Sequence, residues 1–228
     1  LLYDPGERWY YGIAPDVQAL LIEKISGQPY AAYVKQHIFD PLGMKDTAWR
    51  QPDENFARFS AMYNLKDGKL VRVADDINKT LNFQDNKLTP GAYGLASTLD
   101  DYMRFARMLL GNGELDRVRL LKPSTIKLMA SDHLDPRMTD RSWLPSKGAV
   151  GFGFNFAVRH SQPQTAEENR GAVGEYFWDG AATNMFWVDP ANNLAAVYFV
   201  QTQPFTATLQ RDFRAAVYGK GYLGPQGD

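Results

Sequence analysis

The chain has 228 residues, a formal net charge of −1 and no cysteine. That length supplies ample material for a buried core, and 44% hydrophobic with 22% charged residues is the balance of an ordinary globular protein rather than a disordered or fibrous one. The near-zero charge and the lack of a basic run argue against nucleic acid or an anionic surface as partner. The missing cysteines exclude disulfides, thiolate metal sites and a cysteine nucleophile, and no apolar run reaches the roughly 18 residues of a membrane helix.

A first helix is expected over about 14–26, with Gly27 as a left-handed cap. Val17, Ala19, Leu20, Leu21, Ile22 and Ile25 leave it apolar on most sides, which predicts burial. A second helix places Tyr30, Tyr33, Val34, His37 and Ile38 at i, i+3, i+4, i+7 and i+8 and ends in the DPLG turn. Residues 50–90 are polar and read as loops with one small hairpin, KLVRV after the KDG turn. A third helix opens at STLDD, capped by Ser97 or Thr98, with Tyr102, Phe105, Ala106 and Leu109 on its core stripe and Gly111 at its end. PSTIKLM begins a fourth. The period then changes. GFGFNFAV puts Phe152, Phe154 and Phe156 on one face of a strand, and TNMFWVDPANNLAAVYFVQ reads as two strands joined by a turn at residues 189–193. A last helix over about 206–218 offers Leu209, Phe213, Ala216 and Val217. This order predicts an α+β fold, a helical region packed beside an antiparallel sheet. Residues 1–148 form the mostly helical region and 149–228 the strands with the C-terminal helix, together one catalytic-type domain.

PSTIKLM contains Ser124-x-x-Lys127, the spacing of an acylating serine and its base. Pro123 suits the first helical position, so Ser124 lies in the first turn. Ile126, Met129, Ala130 and His133 then form the core stripe, and Ser124, Lys127 and Ser131 face water. A lysine acting as base near neutral pH needs desolvation or a neighbouring cation, and a solvated Lys127 has neither. Ser124 is not the expected nucleophile.

The flanking text is more specific. YDPGERWYYGIAPDVQALLIEKISG, IFDPLGMKDTAW, GAYGLASTLDDYMRFARMLLGNGELDRVRLL and FWDGAATNMFWVDP follow in that order. Together they resemble the β-lactamase superfamily in its class C branch, and within it the family VIII carboxylesterases, from about Asp4 to the last helix. The resemblance implies a β-lactamase/penicillin-binding-protein-like fold, incomplete at the N-terminus. In that family the nucleophilic Ser-x-x-Lys opens a helix well upstream of the PG-x-x-W-x-Y segment, which here starts at residue 5.

The resemblance also implies roles residue by residue. Tyr11 matches the tyrosine that exchanges protons with the nucleophile and leaving group; on residues alone a core or rim aromatic beside Trp9 and Tyr10 is the favoured reading, and the flanking PG-x-x-W and apolar helix turn it toward the functional one. Gly12 and Ile13 stand where the pattern often has Ser and Asn, and the lost amide weakens a β-lactam reading. Trp178-Asp179-Gly180 falls at the Lys-Thr-Gly strand motif. Trp in place of Lys gives an apolar wall and points to neutral esters; a core tryptophan beside a glycine bulge is the alternative. Asp179 replaces a small residue and is expected to disturb the strand edge. The backbone N–H of Ala181 corresponds to one oxyanion donor, the missing serine's own N–H being the other. Tyr93 is either a cleft-lining residue or part of a turn.

No cofactor or metal is implied, since His37, His133 and His160 are scattered and no His-Glu-x-x-His occurs. His37 is expected in the core, and Asp100 and Asp101 at a helix start. The expectation is a serine hydrolase acting on carboxylic esters through an acyl-serine intermediate. Its Ser and Lys come from an absent N-terminal segment, and this chain alone is inactive. A β-lactamase or D,D-peptidase, and a non-catalytic binding remnant, are the competing readings. The partner is a small-molecule ester or β-lactam, with no nucleic acid and no membrane span. A complementing N-terminal segment or a homodimer is expected to cover the sheet edge that absent strands leave open. The compartment is undefined between bacterial cytoplasm and periplasm.

Overall fold

The structure, a computed structural model, describes residues 2–163 and 171–219. Helix α1 (Ala14–Ser26) ends at Gly27 with φ +70°, the left-handed cap its sequence calls for. Helix α2 (Tyr30–Val34) runs through a π-helical turn (Lys35–Phe39) into α3 (Asp40–Leu42). Strands β1 (Tyr63–Lys66) and β2 (Lys69–Arg72) form the expected hairpin, followed by α4 (Asp75–Lys79). Helix α5 (Leu99–Leu110) is capped by Thr98, whose hydroxyl accepts from the Asp101 N–H at 3.2 Å. A short pair, β3 (Glu114–Leu115) and β4 (Val118–Arg119), leads to α6 (Pro123–Met129). Then come β5 (Val150–Phe152), β6 (Ala157–Arg159), β7 (Tyr176–Asp179), β8 (Met185–Asp189), β9 (Leu194–Tyr198), β10 (Thr202–Gln203) and α7 (Ala207–Tyr218).

Strands β5 to β9 form an antiparallel sheet in chain order, and β10 pairs in parallel with β1. The fold is α+β, as expected. Alternation along the strands supplies two cores. Phe186 and Val188 of β8, with Val197, Tyr176 and Val158, join Met108 and Leu109 of α5 on one face; Met185, Trp187, Phe177 and Ala157 line the other, where Phe213 of α7 meets Trp187 at 5.5 Å.

Four expectations from the sequence need correction. Only Ala19 of α1 is buried; Val17, Leu20, Leu21 and Ile25 are about half exposed or more, because no described element covers that face. In the second helical stretch the π turn inserts a residue and shifts the phase, so Phe39 and Leu42 enter the core while His37 is exposed against Tyr33. GFGFNFAV is a hairpin instead of one strand. Asn155 turns the chain at φ +62°, leaving Phe154 exposed and sending Phe152 and Phe156 to different cores. Helix α6 stops at Met129, so His133 lies outside it, exposed and stacked on Phe154.

A buried ionic network fastens α7 to the sheet. Arg214 of α7 donates to Glu175 at 2.8 Å, Arg159 of β6 approaches the other Glu175 oxygen at 3.8 Å, and the Tyr218 hydroxyl lies 2.8 Å from Asp189. The Arg214 guanidinium also sits 4.3 Å from the Trp187 ring centroid. Desolvation raises the Glu175 carboxyl, against the pull of Arg214 and Arg159. Replacing Glu175 by Gln removes a buried negative charge from between two buried guanidinium groups and should cost about 3–5 kcal/mol, read as a lower urea midpoint; a change below about 1 kcal/mol would contradict this account.

Tyr102 of α5 packs against Phe105, Phe186 and Phe199, and burial pushes its phenol up to about 12. The raised value means the fold favours the neutral phenol. Its contribution to stability is therefore intact below the unfolded value of about 10 and is lost as pH climbs from there toward 12. Tyr102→Phe should flatten that alkaline decline in a series of denaturation midpoints.

Candidate functional site

The PGERWYY segment runs along the loop that precedes β5. The Trp9 N–H donates to the Asp140 carbonyl at 2.9 Å, and the Trp9 ring rests on Phe152 at 5.0 Å and on Trp143 at 6.1 Å. This anchoring carries Tyr11 to the end of β7. Its ring lies 5.3 Å from Trp178 and 5.2 Å from Trp143, and the Trp178 Nε1–H donates to the Tyr11 hydroxyl at 3.4 Å. Tyr11 remains 39% exposed, so the phenol is open to a ligand while its ring is held. Helix α1 starts just beyond, and its Asp16 accepts from Gly91 and Ala92 N–H at 2.8 and 3.1 Å.

Regular pairing with β8 places Trp178 opposite Phe186 and Asp179 opposite Met185. Asp179 therefore does not disturb the strand edge. Its charge is met by Lys147, the last residue of the 3₁₀ turn Leu144–Lys147, which donates to it. After Asp179 the chain turns. The Gly180 N–H donates to Asn184 O and the Thr183 N–H to Gly180 O, both at 2.9 Å, with Thr183 at φ +73°. Gln210 of α7 reaches the Thr183 and Asn184 carbonyls, and Asn184 Oδ1 accepts from Val200 N–H. The turn is braced from behind, and the exposed Ala181 keeps an N–H that donates to no described residue. A Cβ added at Gly180 would meet nothing nearer than Asn184 at 3.8 Å, so internal packing does not require glycine there.

The structure thus brings Tyr11, Trp178, Asp179, Gly180 and Ala181 to one place. Tyr93 is 61% exposed on the loop that Asp16 anchors, its carbonyl accepting from Trp49 Nε1 at 3.2 Å, and it makes no ring contact with this cluster among the described residues. Ser124 and Lys127 are exposed on α6 and line a separate groove of about 600 Å³, with no contact to the cluster. Sequence reasoning missed Trp143, Phe152 and Lys147. The one available clue was Asp179, a carboxylate directly after the aromatic strand residues Tyr176, Phe177 and Trp178, whose burial demands a cation.

Residues 1–219 match the family model for β-lactamase. The chain belongs to the β-lactamase family. It is 32% identical over 229 residues to an uncharacterized protein of Mycobacterium tuberculosis, covering 98% of this chain and 55% of that protein. It is 26% identical to the lovastatin esterase of Penicillium rubens, covering 96% of this chain and 58% of the esterase. Among solved structures, the LovD6 mutant of simvastatin synthase from Aspergillus terreus superposes with a TM-score of 0.82 at 26% identity, over 96% of this chain and 57% of that one. The chain spans little more than half the length of these relatives. Their likeness bears out the expected β-lactamase/penicillin-binding-protein-like fold, and an esterase among them accords with ester chemistry.

Proposed function

We propose that the chain is the C-terminal part of a serine hydrolase that cleaves carboxylic esters through an acyl-serine intermediate. The observation that carries the reading is the hydrogen bond between Trp178 and Tyr11, which joins two functional candidates 167 positions apart in the sequence. The nucleophilic serine and its lysine come from a segment outside these residues. Serine Oγ attacks the ester carbonyl carbon and its proton passes to Tyr11 Oη as the phenol hands its own proton on to the lysine. The Ala181 N–H and the serine's own N–H hold the resulting oxyanion. Collapse breaks the bond to the alcohol, and Tyr11 returns the proton to the leaving alkoxide. Water attacking the acyl-serine completes hydrolysis; a second alcohol in its place gives acyl transfer.

Trp178 and Trp143 supply an apolar wall for the acyl or alcohol portion, with Gly180 admitting its carbonyl and Tyr93 at the rim. Ile13 in place of an amide, and a Lys147 already neutralised by Asp179, disfavour an anionic β-lactam. In the full-length protein, Tyr11→Phe should lower kcat for a para-nitrophenyl ester by about a hundred- to ten-thousandfold with little change in KM. Unchanged kcat would remove Tyr11 from the mechanism. A chromogenic cephalosporin turned over faster than the ester would make it a β-lactamase. Failure of a fluorophosphonate probe to label the full-length protein would leave a binding protein on the same scaffold.

A further inference from the structure

Against the Trp178 wall lies a charged pair that ester cleavage does not itself require. Lys147 and Asp179 have side chains only 7% and 9% exposed and form an ion pair. The ammonium has no other hydrogen-bond acceptor among the described residues. Its remaining surroundings are rings, with the Trp143 and Trp178 centroids each 5.1 Å away and Phe205 at 5.7 Å. Cation–π attraction and the ion pair together hold the lysine in a nearly dry position. The formal charge of the assembly is zero.

We propose that Lys147 and Asp179 set the charge selectivity of the site, Asp179 masking a lysine that would otherwise draw anionic substrates, so that neutral acyl groups are preferred. This rests on the ester reading of the same site. The ammonium lies 5.1 Å from the centroid of the ring whose Nε1–H meets Tyr11 at 3.4 Å, so an unmasked charge would act across that indole from the reacting group. At that range, behind a wall that excludes water, a unit charge alters the affinity for its opposite by about ten- to a hundredfold. Salt screens a buried charge weakly, so the mask has to be another buried charge. Asp179 meets that requirement because β7 pairing fixes it beside Trp178.

The test is substrate choice in the full-length protein, comparing para-nitrophenyl butyrate with para-nitrophenyl hemisuccinate. Asp179→Asn should shift the ratio of kcat/KM toward the anionic ester by about tenfold or more, chiefly through KM. Lys147→Met, which bares the carboxylate, should shift it the opposite way. The double variant Lys147→Met/Asp179→Asn should return the ratio to the original value, since the wall is again neutral. A pair that merely braces the fold would depress both esters alike, and the double variant would not restore the ratio; that result overturns the proposal. Should Asp179→Asn fail to fold, Lys147→Met and the double variant decide the matter by the same ratio. If the unaltered protein cleaves neither ester, the ester reading fails separately. Charge selectivity is then read from tryptophan quenching by benzoate and benzamide, where an unchanged preference in Asp179→Asn overturns it.

Discussion

The register between β7 and β8 governs the arrangement of this molecule. Tyr176 pairs with Val188, Phe177 with Trp187, Trp178 with Phe186 and Asp179 with Met185. Because side chains alternate along a strand, a slip of one residue would exchange every group between the faces. Trp178 would leave Tyr11, Asp179 would leave Lys147, and the turn presenting Ala181 would start elsewhere. The register is protected by what each face buries. Tyr176 and Phe186 are locked under α5, and Phe177 and Trp187 under α7. The site is thus a consequence of core packing on both sides of one hairpin.

Two buried ion pairs flank that hairpin and act differently. Glu175, next to the first residue of β7, faces Arg214 and Arg159 and ties α7 to the sheet. Asp179, at its last residue, faces Lys147 and belongs to the aromatic wall. Burial of an ion pair adds little net stability against a hydrophobic alternative, while loss of one partner is costly. Both pairs are therefore better understood as specifying an arrangement than as strengthening it. The first fixes which helix covers the sheet, and the second fixes the electrostatic character of the surface that Trp178 presents.

Much of this was legible in the sequence. The α5 stripe, the Gly27 cap, the KDG hairpin and the β8–β9 turn followed from local chemistry, as did the dismissal of Ser124. The errors share one physical origin. A 3.6-residue period assumes an unbroken α-helix, and the π turn at residues 35–39 breaks it, so His37 was misplaced. Alternation assumes one continuous strand, and Asn155 interrupts it. Apolar content assumes a neighbour, which α1 lacks on most of its faces within the described residues. At the site, Tyr11 and Trp178 were found through family likeness. The cation that neutralises Asp179 was not, because nothing local distinguishes Lys147 from the other lysines; only the fold brings it beneath the tryptophans.

Under the proposed function, the uncovered face of α1 and the incomplete site are one problem. Ile13, Val17, Leu21 and Ile25 lie along one i, i+4 row, with exposures of 74%, 49%, 52% and 86%. Full burial of such a side chain from water is worth roughly 1.5–3 kcal/mol, and about half of that surface or more is still open on each, so a segment that covers the row gains from doing so. At 1.5 Å per residue the row begins beside Tyr11, at the Ile13 end of the helix. A segment packed along it therefore delivers its own residues to the phenol. On the other side, β9 has β8 along one edge and no described strand along the other, a position where added strands would complete the sheet. Under that proposal, a segment that covered α1 would also be placed to supply a serine to Tyr11, so the apolar row and the phenol would be served by one contact.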